Sequence, residues 1–148
     1  MAIARPIDRR LFFWFDRAHT ILAKEADTFL SQNSGLGTSQ AAVLIYLGFH
    51  DKCHLSELAE GIGRNNPAVT GLVDRMTKAG FVERIHGGMD GRRKRVKLTD
   101  AGWAKREQVR EDFRIFNERL AKGLTETEMD AVLKFLTLAP DNLENSNG

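Results

Sequence analysis

The chain has 148 residues, of which 42% are hydrophobic and 28% charged, which is ordinary for a soluble globular protein of one domain or one domain with a helical appendage. The longest apolar run, residues 11–15, is far below the roughly 18 residues of a membrane span, and the N-terminus has no apolar segment of signal-peptide length, so we expect a cytoplasmic protein. The net charge of +2 says little by itself, and the single cysteine, Cys53, excludes an intramolecular disulfide.

The first predicted element is a long helix from Met1 to Asn33, along which apolar residues recur at three- and four-residue steps. Pro6 suits its first turn. Because the segment around Phe12 and Phe13 is hydrophobic on nearly all sides, this helix has two surfaces to pack against. Two interpretations are open: burial inside the monomer or, as we favour, a contribution to a dimer interface.

The second and third predicted helices are short. The loop over residues 34–39 ends in a helix cap, Thr38 or Ser39, and the second helix breaks after Gly48. Residues 49–53 are expected to be a connector. The third helix then has one apolar face, made of Leu55, Leu58, Ala59 and Ile62.

A fourth helix is predicted after Asn65 as its N-cap, with Pro67 in the first turn and Gly80 at the end. The opposite sides of this helix differ: one carries small polar residues and Arg75, and the other is apolar. Two helices separated by a tight turn, the second with such an outward face, are typical of a helix-turn-helix. The predicted apolar stripe consists of Val69, Leu72, Val73, Met76 and Ala79.

A β-hairpin is predicted to follow the fourth helix. Residues 81–86 form a strand without clean alternation, whereas residues 95–98 alternate basic and apolar side chains. The loop between them, residues 87–93, is rich in glycine and other turn residues. This pattern predicts a wing.

Two helices complete the chain. Residues 99–100 cap a long fifth helix that runs to about Lys122. Thr125 and Glu128 form a capping box for a sixth helix. The polar residues after Pro140 are expected to fray.

Positive charge is concentrated in residues 64–99. This stretch has nine Lys or Arg and three acidic residues, a net charge of +6, whereas the remaining 13 basic and 17 acidic residues sum to −4. Basic side chains gathered at one place on an acidic body are typical of a protein that holds a polyanion. A merely solvated basic surface is the alternative, but the position at a hairpin tip favours DNA because narrow minor grooves attract arginine.

Several motifs at defined spacing strengthen this interpretation. They are Asp90-x-Arg92, Leu98-Thr99-x-x-Gly102, Leu58-Ala59, Val69-Thr70, Leu72-Val73-Asp74-Arg75 and Gly80-Phe81-Val82. In this order and spacing the chain resembles the MarR family of bacterial winged-helix regulators over nearly its whole length. The resemblance implies a mainly α fold with a small β-hairpin wing. It also implies repression that is relieved by a small molecule, often an aromatic acid, or by an oxidant.

The resemblance further implies a homodimer and a division of the chain. Residues 1–33 and 100–138 are expected to form a helical dimerisation region, residues 34–99 the winged helix-turn-helix DNA-binding domain, and residues 139–148 a flexible tail. The residues expected in the dimer interface are Ile7, Leu11, Phe12, Phe15, Phe113, Phe116, Leu120, Val132, Phe135 and Leu136.

The fourth helix is then expected in the major groove of double-stranded DNA and the wing in the adjacent minor groove, on a pseudo-palindromic operator. Asn66 and Thr70 are suited to hydrogen bonds and Arg75 to a forked contact, with plain exposure to solvent as the alternative. We expect Arg92 in the minor groove, oriented by Asp90. The full predicted DNA-binding set is Asn65, Asn66, Pro67, Ala68, Thr70, Gly71, Arg75, Asp90, Arg92, Arg93, Lys94 and Lys97.

A cleft for a small aromatic effector is a further expectation. Aromatic side chains at helical spacing are more often plain core, and this alternative stays open. The candidate pocket residues are Trp14, Phe15, His19, Tyr46 and Phe49.

Metal, redox and catalytic functions are weakly indicated. Nitrogen, oxygen and sulfur ligands are packed into one short segment, at His50, Asp51, Cys53 and His54. Structural zinc usually takes paired ligands from two separated segments, and only Lys52 and His54 are near enough in sequence to lower the pKa of Cys53. No nucleophile–base pair or phosphate-cradling loop is apparent, so we expect no enzyme activity and no cofactor. The alternatives to a ligand-responsive repressor are a redox- or metal-responsive regulator of the same fold and a winged-helix module for protein–protein contact.

Overall fold

The computed structural model describes residues 9–86 and 94–147. Two compact units divide the chain between Phe113 and Arg114, and one long helix contributes to both. The elements are α1 (Leu11–Asn33), α2 (Thr38–Phe49), β1 (Cys53–His54), α3 (Leu55–Ile62), α4 (Asn66–Lys78), β2 (Val82–Ile85), β3 (Arg95–Leu98), α5 (Asp100–Leu120), α6 (Glu126–Glu144) and a 3₁₀ helix (Asn145–Asn147). The mainly helical fold with a small antiparallel sheet is the predicted fold class.

The hydrophobic core of the first unit is formed by one face of α2, α3, α4 and the strands, to which α1 adds Leu30 and α5 adds Val109. The predicted stripe of α4 is confirmed except at Ala79, which is exposed because it lies at the C-cap, beyond the last helical residue. Burial of this stripe fixes which side of α4 faces outward. The buried apolar side chains are Leu30, Leu36, Ala41, Val43, Leu44, Leu47, Cys53, Leu58, Ala59, Val69, Leu72, Val73, Met76, Val82, Val96, Leu98 and Val109.

The sheet has three antiparallel strands in the order β1-β3-β2. The expectation of a plain connector over residues 49–53 is wrong at both ends, because Phe49 is the last residue of α2 and Cys53 pairs with Val96 of β3 in strand β1. The other edge is the predicted hairpin, in which Val82 pairs with Leu98. Both members of this pair are buried, so the hairpin packs on the helical core through one face.

Three predicted helix caps are confirmed. The side chains of Asn65, Thr99 and Thr125 each accept a hydrogen bond from the backbone amide three residues later, at 2.9, 3.0 and 3.2 Å respectively. Glu128 completes the capping box of α6 by accepting from the Thr125 amide at 2.8 Å. Each cap satisfies a backbone N–H that the helix cannot satisfy internally.

The predicted cap of α2 is wrong, because the helix already begins at Thr38 and its N-cap is Gly37. The Thr38 amide instead donates to Asp27 Oδ1 of α1 at 2.9 Å. A carboxylate from a preceding helix thus takes the place of the expected Thr38 or Ser39 side chain, and it suits the positive end of the helix dipole.

The first helix begins later than predicted. Arg9 and Arg10 are described but not helical, and α1 begins at Leu11. Two arginines are unfavourable at the positive end of a helix, which explains the later beginning. Residues 1–8 of the prediction lie outside the described residues.

The last helix continues beyond the expected beginning of the tail. Helix α6 passes through Pro140 and ends at Glu144. Proline removes only its own amide from the hydrogen-bond ladder, and later amides restore it: the Asn145 amide bonds to the Asp141 carbonyl. Among residues 9–86 and 94–147, none of the helices combines the length and apolar character that crossing a membrane requires.

Candidate nucleic-acid interface

Helix α4 presents a polar outward side. The predicted residues on and just before this helix are exposed apart from Gly71, which is partly buried: Asn65, Asn66, Pro67, Ala68, Thr70, Gly71 and Arg75. A Cβ added to Gly71 would meet only Arg75 Nη1, at 3.6 Å. The backbone of α4 is therefore open to close approach at this point.

Two of these polar side chains already make hydrogen bonds within the helix. Asn65 Oδ1 accepts from the Ala68 amide at 2.9 Å, and the Thr70 hydroxyl donates to the Asn66 carbonyl at 3.0 Å. The side-chain amide of Asn65 keeps its two donors, and the Thr70 oxygen keeps its acceptor lone pairs. These groups remain able to bind a polar partner without breaking the helix.

The described part of the wing carries an ion pair on its outer face. Lys97 of β3 lies opposite Glu83 of β2, with 2.8 Å between Lys97 Nζ and Glu83 Oε1. The hydrogen bond to Glu83, together with the charge of that carboxylate, raises the pKa of Lys97. An anion bound at Lys97 would therefore compete with Glu83. Lys94 is exposed, and Asp90, Arg92 and Arg93 of the predicted set lie outside the described residues.

A second ion pair was not predicted from the sequence. Arg84 of β2 donates through Nη2 to Asp74 Oδ1 of α4, at 2.5 Å. The two residues are separated by ten positions and lie on different elements, so no helical or strand periodicity relates them. The pair joins the outward-facing helix to the wing.

Most of the residues predicted for a dimer interface are exposed in the chain. These are Leu11, Phe12, Phe15, Leu120, Val132 and Leu136. Phe113, Phe116 and Phe135 are partly buried, Phe113 against the core of the first unit, and Ile7 lies outside the described residues. The alternative in which α1 is buried inside the monomer is wrong, because Leu30 is its only buried residue among those described.

The predicted effector residues are divided among separate contacts. Phe15 stacks on His19, with 6.4 Å between ring centroids. Tyr46 stacks on His50 at 4.5 Å, and Phe49 lies beside α5. Tyr46 also lines an open cleft of about 330 Å³ whose other lining residues are His50, Cys53, Glu57, Glu60 and Gly61.

Cys53 is a buried thiol in strand β1. Burial, and then the charge of Glu57, raises the pKa of the Cys53 thiol to about 11. The reactive thiolate is therefore a minor species near neutral pH, which is unfavourable for an oxidant sensor. Within the part of the chain that the structure describes, His, Cys, Asp and Glu side chains form no group of three or more suited to a metal ion.

Comparisons with known proteins agree with this geometry. The MarR family model matches residues 34–93. The HTH-type transcriptional regulator YfiV of Bacillus subtilis is 33% identical over 107 residues, which are 72% of this chain and 67% of YfiV. The transcriptional repressor IacR of Pseudomonas putida is 27% identical over 133 residues, which are 90% of this chain and 79% of IacR.

A solved structure shares the fold over nearly the whole chain. The crystal structure of the S. aureus MepR–DNA complex superposes with a TM-score of 0.80 at 24% identity, covering 92% of this chain and 99% of MepR. The similar proteins are transcriptional regulators, not enzymes. The chain therefore belongs to the MarR family of winged-helix transcriptional regulators.

Proposed function

We propose that this regulator binds double-stranded DNA sequence-specifically as a homodimer and represses transcription from a pseudo-palindromic operator. The observation that carries the proposal is the exposed polar side of α4, backed by buried Val69, Leu72, Val73 and Met76 and flanked by the basic hairpin. In helix-turn-helix proteins this side enters the major groove. The name of the repressor IacR and the DNA-bound structure of MepR support the same function.

Different residues are proposed for different parts of the DNA. Asn66, Thr70 and Arg75 contact base edges or phosphates in the major groove, while Ala68 and Gly71 allow the helix to approach closely. In the wing, Arg92 enters the minor groove with Asp90 orienting its guanidinium, and Arg93, Lys94 and Lys97 meet phosphates. Asn65 and Pro67 lie at the beginning of α4, next to the major groove that this helix enters.

The homodimer is proposed to form through the helices at the two ends of the chain, residues 1–33 and 100–138. Many of their large apolar side chains are exposed, such as Phe12, Phe15, Val132 and Leu136, although apolar surface is normally removed from water. Two copies related by a two-fold axis would present two α4 helices to half-sites about one helical turn apart. Residues 34–99 form the DNA-binding domain in this proposal.

Release from DNA is proposed to follow binding of a small aromatic effector. The candidate residues Trp14, Phe15, His19, Tyr46 and Phe49 are all at least partly exposed, so a planar ligand has access to their rings. Such a ligand shifts the equilibrium only if it binds the released conformation more tightly than the DNA-bound one.

Selection of bound duplexes from a random library, followed by anisotropy titrations, tests the proposal. The selected duplexes are expected to contain two inverted half-sites. If each subunit neutralises about four phosphates, the slope of log K against log salt is on the order of −7. Arg75→Ala is expected to weaken binding by roughly 1–3 kcal/mol, whereas Arg110→Ala, which removes an exposed arginine of α5, has little effect.

Three results would contradict the proposal or one of its parts. A wild-type protein that binds no duplex at low salt is not a DNA-binding regulator, and the winged helix then serves protein–protein contact. If Arg75→Ala and Arg110→Ala changed the DNA affinity equally, α4 would not be part of the DNA interface. If Arg92→Ala left both the DNA affinity and the salt slope unchanged, the wing would not be part of the DNA interface.

A further inference from the structure

The ion pair between Asp74 and Arg84 joins the two elements that are proposed to read DNA. Asp74 precedes Arg75 on α4 and is half exposed, with 56% of its side chain accessible. Arg84 lies in the middle of strand β2 and only 18% of its side chain is accessible. Its Nη2 donates to Asp74 Oδ1 at 2.5 Å. The Arg84 side chain of the pair is therefore mostly covered by the protein, whereas the Asp74 side chain is accessible to solvent.

The strand pattern explains why Arg84 points toward the helix. Successive strand residues point to opposite faces, so Arg84 shares the inner face of β2 with buried Val82. Its partner across the hairpin is Val96, which is also buried. An arginine at this position packs its aliphatic stem along the core and extends its guanidinium to the edge, where Asp74 lies.

A second acidic residue, Glu83 of β2, provides an internal comparison. Glu83 is on the outer face of β2 and pairs with Lys97 of β3, at 2.8 Å. That pair lies within the hairpin and connects nothing to α4. Asp74 and Glu83 each neutralise one basic residue, but of these two pairs only the Asp74 pair connects the hairpin to α4.

We infer that Arg84 is a positioning residue, which holds the wing at a set distance from α4 through Asp74 and makes no DNA contact of its own. The inference rests on the proposed function. Simultaneous entry of a helix into the major groove and of a wing into the minor groove requires a fixed spacing between them. Arg84 donates to Asp74 and only 18% of its side chain is accessible, so it restricts that spacing more tightly than an exposed, flexible lysine would.

Positioning and plain electrostatics give opposite predictions for Asp74→Asn. Removing a negative charge beside DNA strengthens binding if only long-range charge matters. The same change replaces the charged acceptor of Arg84 by a neutral amide oxygen, and this loss of the ion pair weakens binding if the pair sets the spacing of helix and wing. Glu83→Gln removes the same charge from the neighbouring strand without disconnecting α4, so it is the matched control.

The experiment measures binding of wild type, Asp74→Asn, Asp74→Glu and Glu83→Gln to the duplex selected by wild type and to a shuffled duplex. Asp74→Asn is expected to weaken binding to the selected duplex roughly tenfold, comparable to losing one well-placed base contact, without weakening binding to the shuffled duplex. Asp74→Glu keeps the charge and acceptor and is expected to retain most of the affinity. Glu83→Gln is expected to bind both duplexes as tightly as wild type or more tightly.

Two further measurements separate the possible outcomes. Equal thermal midpoints of Asp74→Asn and wild type are expected, because a partly exposed ion pair contributes little to global stability. Hydrogen exchange without DNA is expected to be faster in the peptide that covers β2 of Asp74→Asn. Unchanged exchange, or binding of Asp74→Asn as tight as that of Glu83→Gln, would overturn the inference. Because exchange is measured on the protein alone, it tests the pair even if no duplex is bound.

Discussion

The Arg106 guanidinium lies over two aromatic rings, 5.1 Å from the centroid of Phe49 and 5.7 Å from that of Trp103. Although Arg106 is buried, its Nη1 donates to Glu107 Oε1 at 3.0 Å. A Cβ built on Gly48 of α2 would lie 1.7 Å from Arg106 Nε. At the residue scale, the absence of a side chain at Gly48 therefore makes room for a charged side chain of α5.

Gly48→Ala is expected to destabilise the protein because the added methyl group forces the guanidinium out of this position. Overpacking of this kind costs about 1–3 kcal/mol. Gly71→Ala is the matched control: it is also a helical glycine, and its added Cβ meets only Arg75 Nη1 at 3.6 Å. Alanine there is expected to be neutral or to stabilise by up to about 1 kcal/mol. Thermal unfolding at one protein concentration compares the two, and equal stability would contradict this account of Gly48.

Some residue roles are readable from the sequence and others are not. The caps at Asn65 and Thr99 were predicted because the cap and its partner amide are three positions apart. The Asp27 side chain that binds the beginning of α2, and the Asp74–Arg84 pair, depend on how separate elements meet. Such contacts have no fixed spacing in sequence. The residues of the candidate site were therefore predicted, but the side-chain contacts that hold its elements together were not.

At the element scale, the helices were predicted because each has several residues of clear periodicity, and the hairpin because residues 95–98 alternate after a loop rich in turn residues. Strand β1 was missed because a strand of two residues has no alternation to detect. Its existence depends on the exposed edge of β3, to which it pairs. The end of α6 was misplaced because a single proline removes one hydrogen bond but does not always end a helix.

The beginning of α4 gives a prediction that separates stability from DNA binding. Asn65→Ala removes the cap on the Ala68 amide and is expected to cost about 1 kcal/mol of stability. Asn65→Asp keeps an acceptor at the positive end of the helix, so its stability is expected to equal or exceed that of wild type. Its added negative charge is expected to weaken DNA binding. Thermal unfolding and anisotropy on the same preparations check both; tight DNA binding by Asn65→Asp would place this residue away from the phosphates.

At the scale of the whole molecule, exposed apolar side chains are concentrated in α1 and α6. Phe12 is 78% exposed on α1, and Leu143 is 71% exposed on α6. For α1, the sequence predicted an apolar surface of unusual width around Phe12. Which surface covers these side chains could not be predicted in the same way. Hydrophobic periodicity describes one chain and contains no information on how a second copy packs against it.

Substitution of Phe12 tests whether a second copy covers α1. Phe12→Glu places a charge within the proposed interface and is expected to produce a monomer of 16.6 kDa, whereas wild type is expected to sediment at twice that mass. Phe49→Glu is the matched control, because Phe49 is 74% exposed but lies outside the proposed dimer surface, next to the Arg106 guanidinium. This variant is expected to remain dimeric.

Sedimentation velocity distinguishes the two masses, and the Phe12→Glu monomer is expected to lose most of its affinity for a two-half-site duplex, because it contacts only one half-site. A dimeric Phe12→Glu variant, or a monomeric wild type at the concentration that saturates DNA, would contradict assembly through α1.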